Sequence, residues 1–131
     1  MAVSKVTIPD RLAETLIIDL TANVATPADN VFTGVTLADK IYVIKLDNSA
    51  INAVTYFKAQ FATAYDDSNN PETRLYVPAN TIVEYVFPEG YPNGGFGPAF
   101  SFIGTSTAAS TGTQSDPTGT GNFKVTILAG T

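Results

Sequence analysis

Apolar and polar residues alternate with a period of two along most of this chain. That is the spacing of a half-buried β-strand, whereas a helix repeats every 3.6 residues over ten or more positions. The clearest run is Lys40-Ile41-Tyr42-Val43-Ile44-Lys45-Leu46. Tyr42, Ile44 and Leu46 are expected to share one face, and Ile41, Val43 and Lys45 the other. Asp47-Asn48-Ser49-Ala50 ends it, since Asp and Asn bond their own backbone and tolerate left-handed conformations. The next strand spans 54–61, with Phe57, Ala59 and Phe61 opposite a wet face of Tyr56, Lys58 and Gln60. Short strands follow at 74–77 and 81–87, separated by Pro78-Ala79-Asn80. In the second of these Val83, Tyr85 and Phe87 oppose Ile82, Glu84 and Val86, and Pro88-Glu89-Gly90 is expected to stop it. Strands at 99–103, with Phe100 and Phe102 inward, and at 123–128, with Phe123, Val125 and Ile127 inward, complete the clear set.

The earlier part is less regular. Residues 3–8 alternate and fit an edge strand or an extended arm. Within 10–20 the pair Leu12 and Leu16 has helical spacing, but Pro9-Asp10 reads as a turn and 14–20 as a strand. Residues 30–36, with Gly34, begin a turn or a short strand. Seven to eight short strands divided by Gly, Pro and Asn signals predict an all-β fold. The expected architecture is an antiparallel β-sandwich, jelly-roll-like or immunoglobulin-like, with an extended N-terminal segment. One domain covers 1–131, with 1–30 partly an arm or edge strands. Residues 105–122 break the rhythm: Thr, Ser, Gly and Ala dominate, so the segment has little apolar surface to offset its ordering entropy. Two readings are open for this long polar loop. Neighbouring subunits hold it, or it is a hairpin ordered by its own ladder.

Composition narrows the function classes. Hydrophobic residues make up 44% of the 131, which excludes wholesale disorder. Charged residues are only 15%, so the surface is polar-neutral or partly covered by a partner. Seven basic against twelve acidic residues give a net charge of −5, a poor basis for nucleic-acid binding, which needs a basic face. Histidine, cysteine and tryptophan are absent. This removes Ser-His-Asp and Cys-His triads, disulfides and thiolate or imidazole zinc sites. No apolar run reaches the roughly 18–20 residues of a membrane helix, and the start, Met1-Ala2-Val3-Ser4-Lys5, lacks a signal-peptide stretch. The expectation is a non-catalytic protein made in a cytoplasm, with no cofactor, no metal, no nucleic acid and no membrane.

Candidate chemistry is sparse. Asp66, Asp67, Asn69, Asn70 and Glu72 form an oxygen-rich loop, but its spacing misses the EF-hand pattern and reads as a solvated turn. Glu84 and Glu89 could be imagined as a glycosidase pair, yet acids on a strand and its turn read as wet face. Gly94-Gly95-Phe96-Gly97 lacks the strand–loop–helix setting of a phosphate loop and reads as a connection that tucks Phe96 onto the sandwich. Lys45, Lys58 and Lys124 are expected on outer faces, where lysines blunt edge pairing. Tyr56, Tyr76, Tyr85 and Tyr91 are the most suggestive set, because tyrosine on a sheet can stack on sugar rings or fill an interface.

One ordered series of segments carries a resemblance. It begins with Leu46-Asp47-Asn48-Ser49-Ala50 before Tyr56-Phe57-Lys58, and continues through Val77-Pro78-Ala79-Asn80 and Phe87-Pro88-Glu89-Gly90. Ala99-Phe100-Ser101 and Phe123-Lys124-Val125-Thr126-Ile127 end it. Over 40–128 this series resembles small β-sandwich virion proteins of tailed bacteriophages, of the head decoration or cement type. The resemblance implies a non-enzymatic structural protein on the phage head surface that binds the major capsid protein and stabilises the shell. Closed symmetry favours a homo-oligomer, expected here as a trimer. Interface candidates are Val3, Lys5 and Ile8 in the arm, with Tyr56, Tyr76, Tyr91 and Phe96. The alternatives are a tail, baseplate or fibre component, or a carbohydrate-binding module using the tyrosines.

Overall fold

The computed structural model describes residues 15–21, 31–33, 38–117 and 122–130, and the expected strand over 3–8 lies outside them. Among the described residues there is no helix. The elements are β1 (Thr15–Thr21), β2 (Val31–Thr33), β3 (Lys40–Asp47), β4 (Thr55–Gln60), β5 (Thr73–Val77), β6 (Ile82–Tyr91), β7 (Ala99–Thr105) and β8 (Lys124–Gly130). They form two antiparallel sheets, ordered β1-β8-β3-β6 and β2-β7-β4-β5. Each sheet has four strands: β8-β3-β6 and β7-β4-β5 form the bodies, and β1 and β2 continue one edge of each. Pairing is nested: β1 with β8, β2 with β7, β3 with β6, and β4 with β5.

The inward faces of both sheets meet in one core. Ile44 and Leu46 of β3, Val125 and Ile127 of β8, Phe57 and Ala59 of β4, and Phe100 and Phe102 of β7 all belong to it. The alternation that predicted these strands therefore chose the correct inward residues on β4, β7 and β8, and on β6 it is the Val83, Tyr85 and Phe87 face that packs against the core. Phe57 packs on Phe102 with ring centroids 5.5 Å apart and on Phe100 at 6.3 Å. Each such side chain contributes about 1.5–3 kcal/mol by leaving water.

Two expectations about strand detail are corrected. Ile41, expected on the outer face of β3, is in the core, because the register slips between Ile41 and Val43 against both β6 and β8. A bulge adds a residue and reverses the facing of what precedes it. β6 also does not stop at Pro88 but runs on to Tyr91. It can, because it is the edge strand of its sheet, where a missing N–H need not break a ladder. Its partners pass from Val86 opposite Val43 to Tyr91 opposite Ile41, so the Pro88-Glu89-Gly90 stretch bows outward.

The strand ends on one side are tied by Asn48, a buried residue whose side chain is fully used. Its Nδ2 donates to the carbonyls of Ala53 (2.9 Å) and Pro78 (2.9 Å), and its Oδ1 accepts from Thr55 Oγ1 at 2.7 Å. The Asn48 N–H donates to Thr81 O (2.9 Å), and Asn80, at φ 54°, donates to Ile51 O (2.8 Å). The β3–β4 and β5–β6 turns are thereby one hydrogen-bonded unit.

Candidate functional site

The two sheets differ in what covers their outer faces. On β4 the outward residues are Tyr56, Lys58 and Gln60, expected to be wet. Lys58 is instead fully buried. Its ammonium donates to Thr107 O (2.7 Å), Gln114 Oε1 (2.7 Å) and Ala109 O, so its three N–H bonds meet three neutral oxygens. Burial, and after it the charge of Arg74, hold its pKa below the usual lysine value. Gln60 does the same for a second loop: Nε2 donates to Asp66 O (2.8 Å) and Asn69 O (3.1 Å), and Oε1 accepts from Asp66 N (2.8 Å). The loops meet where Gly112 N donates to Asp67 O at 2.8 Å. Residues 106–117 thus lie over the sheet as a roof. They are held there by Lys58 of the same chain.

Beyond that roof, along the β5 edge, an open cleft of about 380 Å³ is lined by Tyr56, Arg74, Leu75, Tyr76 and Tyr85. Tyr56 and Tyr76 stand directly opposite each other in the β4–β5 ladder, so their side chains leave the same face. Tyr76 is 57% exposed. Tyr85 reaches across from β6, its hydroxyl donating to Tyr76 O at 3.0 Å, and Arg74 donates to Ala108 O at 3.3 Å.

Among the described residues, nothing gives the outer face of β8-β3-β6 such a cover. Val86 is 61% exposed and Ile82 50%. Val86 pairs with Val43, and Val43 with Leu128, which makes an apolar row across three strands. The adjoining rows carry mixed charge: Lys45 opposite Glu84, and Asp47 opposite Lys124. The Asp47 carboxylate accepts from Ser49 Oγ (2.5 Å) and Ser49 N (3.0 Å), which, with Lys45 and Lys124 nearby, holds its pKa below the ordinary value.

Of the residues expected at an interface, Val3, Lys5 and Ile8 lie outside the described residues. Tyr56 and Tyr76 are brought together in the cleft. Tyr91 is not with them: its hydroxyl shares a hydrogen bond with Thr73 Oγ1 at 2.9 Å, and its ring packs on Phe61 and Phe87. Phe96 is tucked onto the sandwich so completely that only 2% of it is exposed, its ring 6.1 Å from that of Phe100. It is a core residue, with almost no surface left for a partner. In the Asp66–Glu72 loop the Asp66 carboxylate is occupied by its own turn, accepting from Ser68 N, Ser68 Oγ and Asn69 Nδ2. Glu72 is turned to the Phe61 N–H.

Sequence reasoning missed Arg74 and Leu75 as neighbours of the tyrosines, and Val43, Val86 and Leu128 as one row. Alternation put Val43 on an outer face correctly, but only register makes Val86 and Leu128 its neighbours. No family model matches the chain, and no curated protein or solved structure matches it.

Proposed function

We propose that this chain is a non-enzymatic structural protein of a virion, a decoration or cement protein that binds the major capsid protein and stabilises the shell. The observation that carries this reading is the nested pairing of β1 with β8, β2 with β7, β3 with β6 and β4 with β5. A long antiparallel hairpin rolled upon itself gives that order, and it is the plan of a jelly roll, an architecture of viral capsid and lectin domains. The unequal outer faces support an assembly role. One sheet is roofed by its own loops, while the other presents Val43, Val86, Leu128 and Ile82. That second face is where the subunits of a trimer meet, and the segment before β1 reaches the capsid protein. Low overall charge suits such broad, moderately polar contacts.

The experiment is to purify virus particles from cells that make this protein and to find it in the particles by mass spectrometry and in their density map. Its absence from purified particles would refute the proposal. Removal of residues 1–9 is expected to abolish binding to shells while the far-ultraviolet spectrum is unchanged, and normal shell binding would take the arm out of the reading.

A further inference from the structure

We infer that the cleft along the β5 edge is a binding site for an acidic saccharide, a pyranose that carries a carboxylate. This goes beyond the structural role proposed above and does not depend on it. Tyr56 and Tyr76 supply adjoining aromatic surfaces, and the face of a pyranose rich in C–H groups packs on such rings while its hydroxyls stay in water. The volume of about 380 Å³ falls within the range of small-ligand pockets. Tyr85 and the backbone that carries Tyr56 and Tyr76 are set before a ligand arrives. Tyr85 is bonded to the Tyr76 carbonyl, and Tyr56 belongs to β4, the strand that β5 and β7 flank. Little ordering remains to be done on binding.

Charge selects the acid. Arg74 lines the cleft, and its cross-strand partner is Lys58, whose ammonium is ringed by uncharged oxygens. One rung of the ladder therefore carries two cations, and no carboxylate is among the lining residues. Glu72, two residues before Arg74, is turned to Phe61 N instead. The Arg74 guanidinium gives one N–H to Ala108 O, and its planar fork has others with which to meet a carboxylate. A neutral sugar would use the tyrosines but not the Arg74 guanidinium.

The test is a glycan array carrying sialylated, uronic-acid-containing and neutral glycans, probed with the full chain. NMR titrations with N-acetylneuraminic, glucuronic and galacturonic acids follow. Acidic glycans are expected to be retained in preference to neutral ones, and the ring resonances of Tyr56 and Tyr76 to shift. Tyr76→Ala, at an exposed position, should lose the binding, and Arg74→Gln should weaken it about tenfold or more. Val86→Lys, on the other sheet, should leave it unchanged. An array with no acidic glycan bound, equal or stronger retention of neutral glycans, or binding that survives both Tyr76→Ala and Arg74→Gln would overturn the inference.

Discussion

Lys58 puts a positive charge beneath the roof with no anion to balance it, and it is tolerable because every N–H has an oxygen to meet. Lys58→Met keeps the stem and removes the donors, leaving Thr107 O, Ala109 O and Gln114 Oε1 without them. A stability loss of about 2–4 kcal/mol in urea unfolding is expected, with faster amide exchange over 106–117 than over β3. The lowered Lys58 pKa means that the unfolded chain holds that proton more tightly. The Lys58 contribution to stability therefore rises with pH up to its ordinary 10.5, and the variant should lack that rise. Tyr65 acts in the opposite sense. Burial first, then the charge of Asp67, pushes its pKa to about 12, so its contribution is present below pH 10 and lost as pH climbs towards 12. Its buried hydroxyl has no hydrogen-bond partner among the described residues. Tyr65→Phe should therefore be as stable as the parent at neutral pH, or more stable by up to ~2 kcal/mol, and should lose less stability between pH 10 and 12. Melting temperatures across pH would check both variants. Neither residue announces itself in the sequence. Alternation placed Lys58 on the outer face correctly, but the oxygens that bury it come from residues far along the chain.

At the scale of elements, the bowed end of β6 rests on Gly90. Its φ of +83° is one that side chains rarely adopt, and an added Cβ would lie 2.7 Å from Lys40 Cδ and 2.9 Å from Tyr42 Cε1. Gly90→Ala is expected to destabilise by roughly 1–3 kcal/mol from backbone strain and crowding together, read as a lower urea midpoint with an unchanged slope. Gly94, where nothing lies within 4 Å of an added Cβ, separates the two effects. Its φ of +91° leaves strain alone, so Gly94→Ala should cost less. Pro88-Glu89-Gly90 was legible as a turn signal, because such residues do interrupt ladders. That the strand resumes at Tyr91 depends on β6 being an edge, which is a property of the sheet. The slip between Ile41 and Val43 is of the same kind: a bulge on β3 is set by the neighbours on both sides.

For the whole molecule, the decisive asymmetry is between a sheet roofed by its own loops and one whose outer face bears an apolar row. Ile82→Lys with Val86→Lys alters side chains that are half exposed or more, so the melting temperature should change little. If that face joins subunits, the double variant is expected to sediment as a monomer under conditions in which the parent associates. Light scattering of both proteins over a concentration series checks this. A parent chain that stays monomeric throughout would remove the face from the proposed assembly.

The sequence by itself determined the strand class, the inward set on β4, β7 and β8, and the absence of histidine and cysteine chemistry. These follow from local periodicity and from composition, which no folding can alter. Only the tertiary structure decided that Lys58 and Gln60 clasp two loops, that Arg74 joins Tyr56 and Tyr76 at one cleft, and that Val43, Val86 and Leu128 form a row. Each of those depends on register and on contacts between residues distant in the chain, and a period-two pattern is the same whichever strand comes to lie beside it.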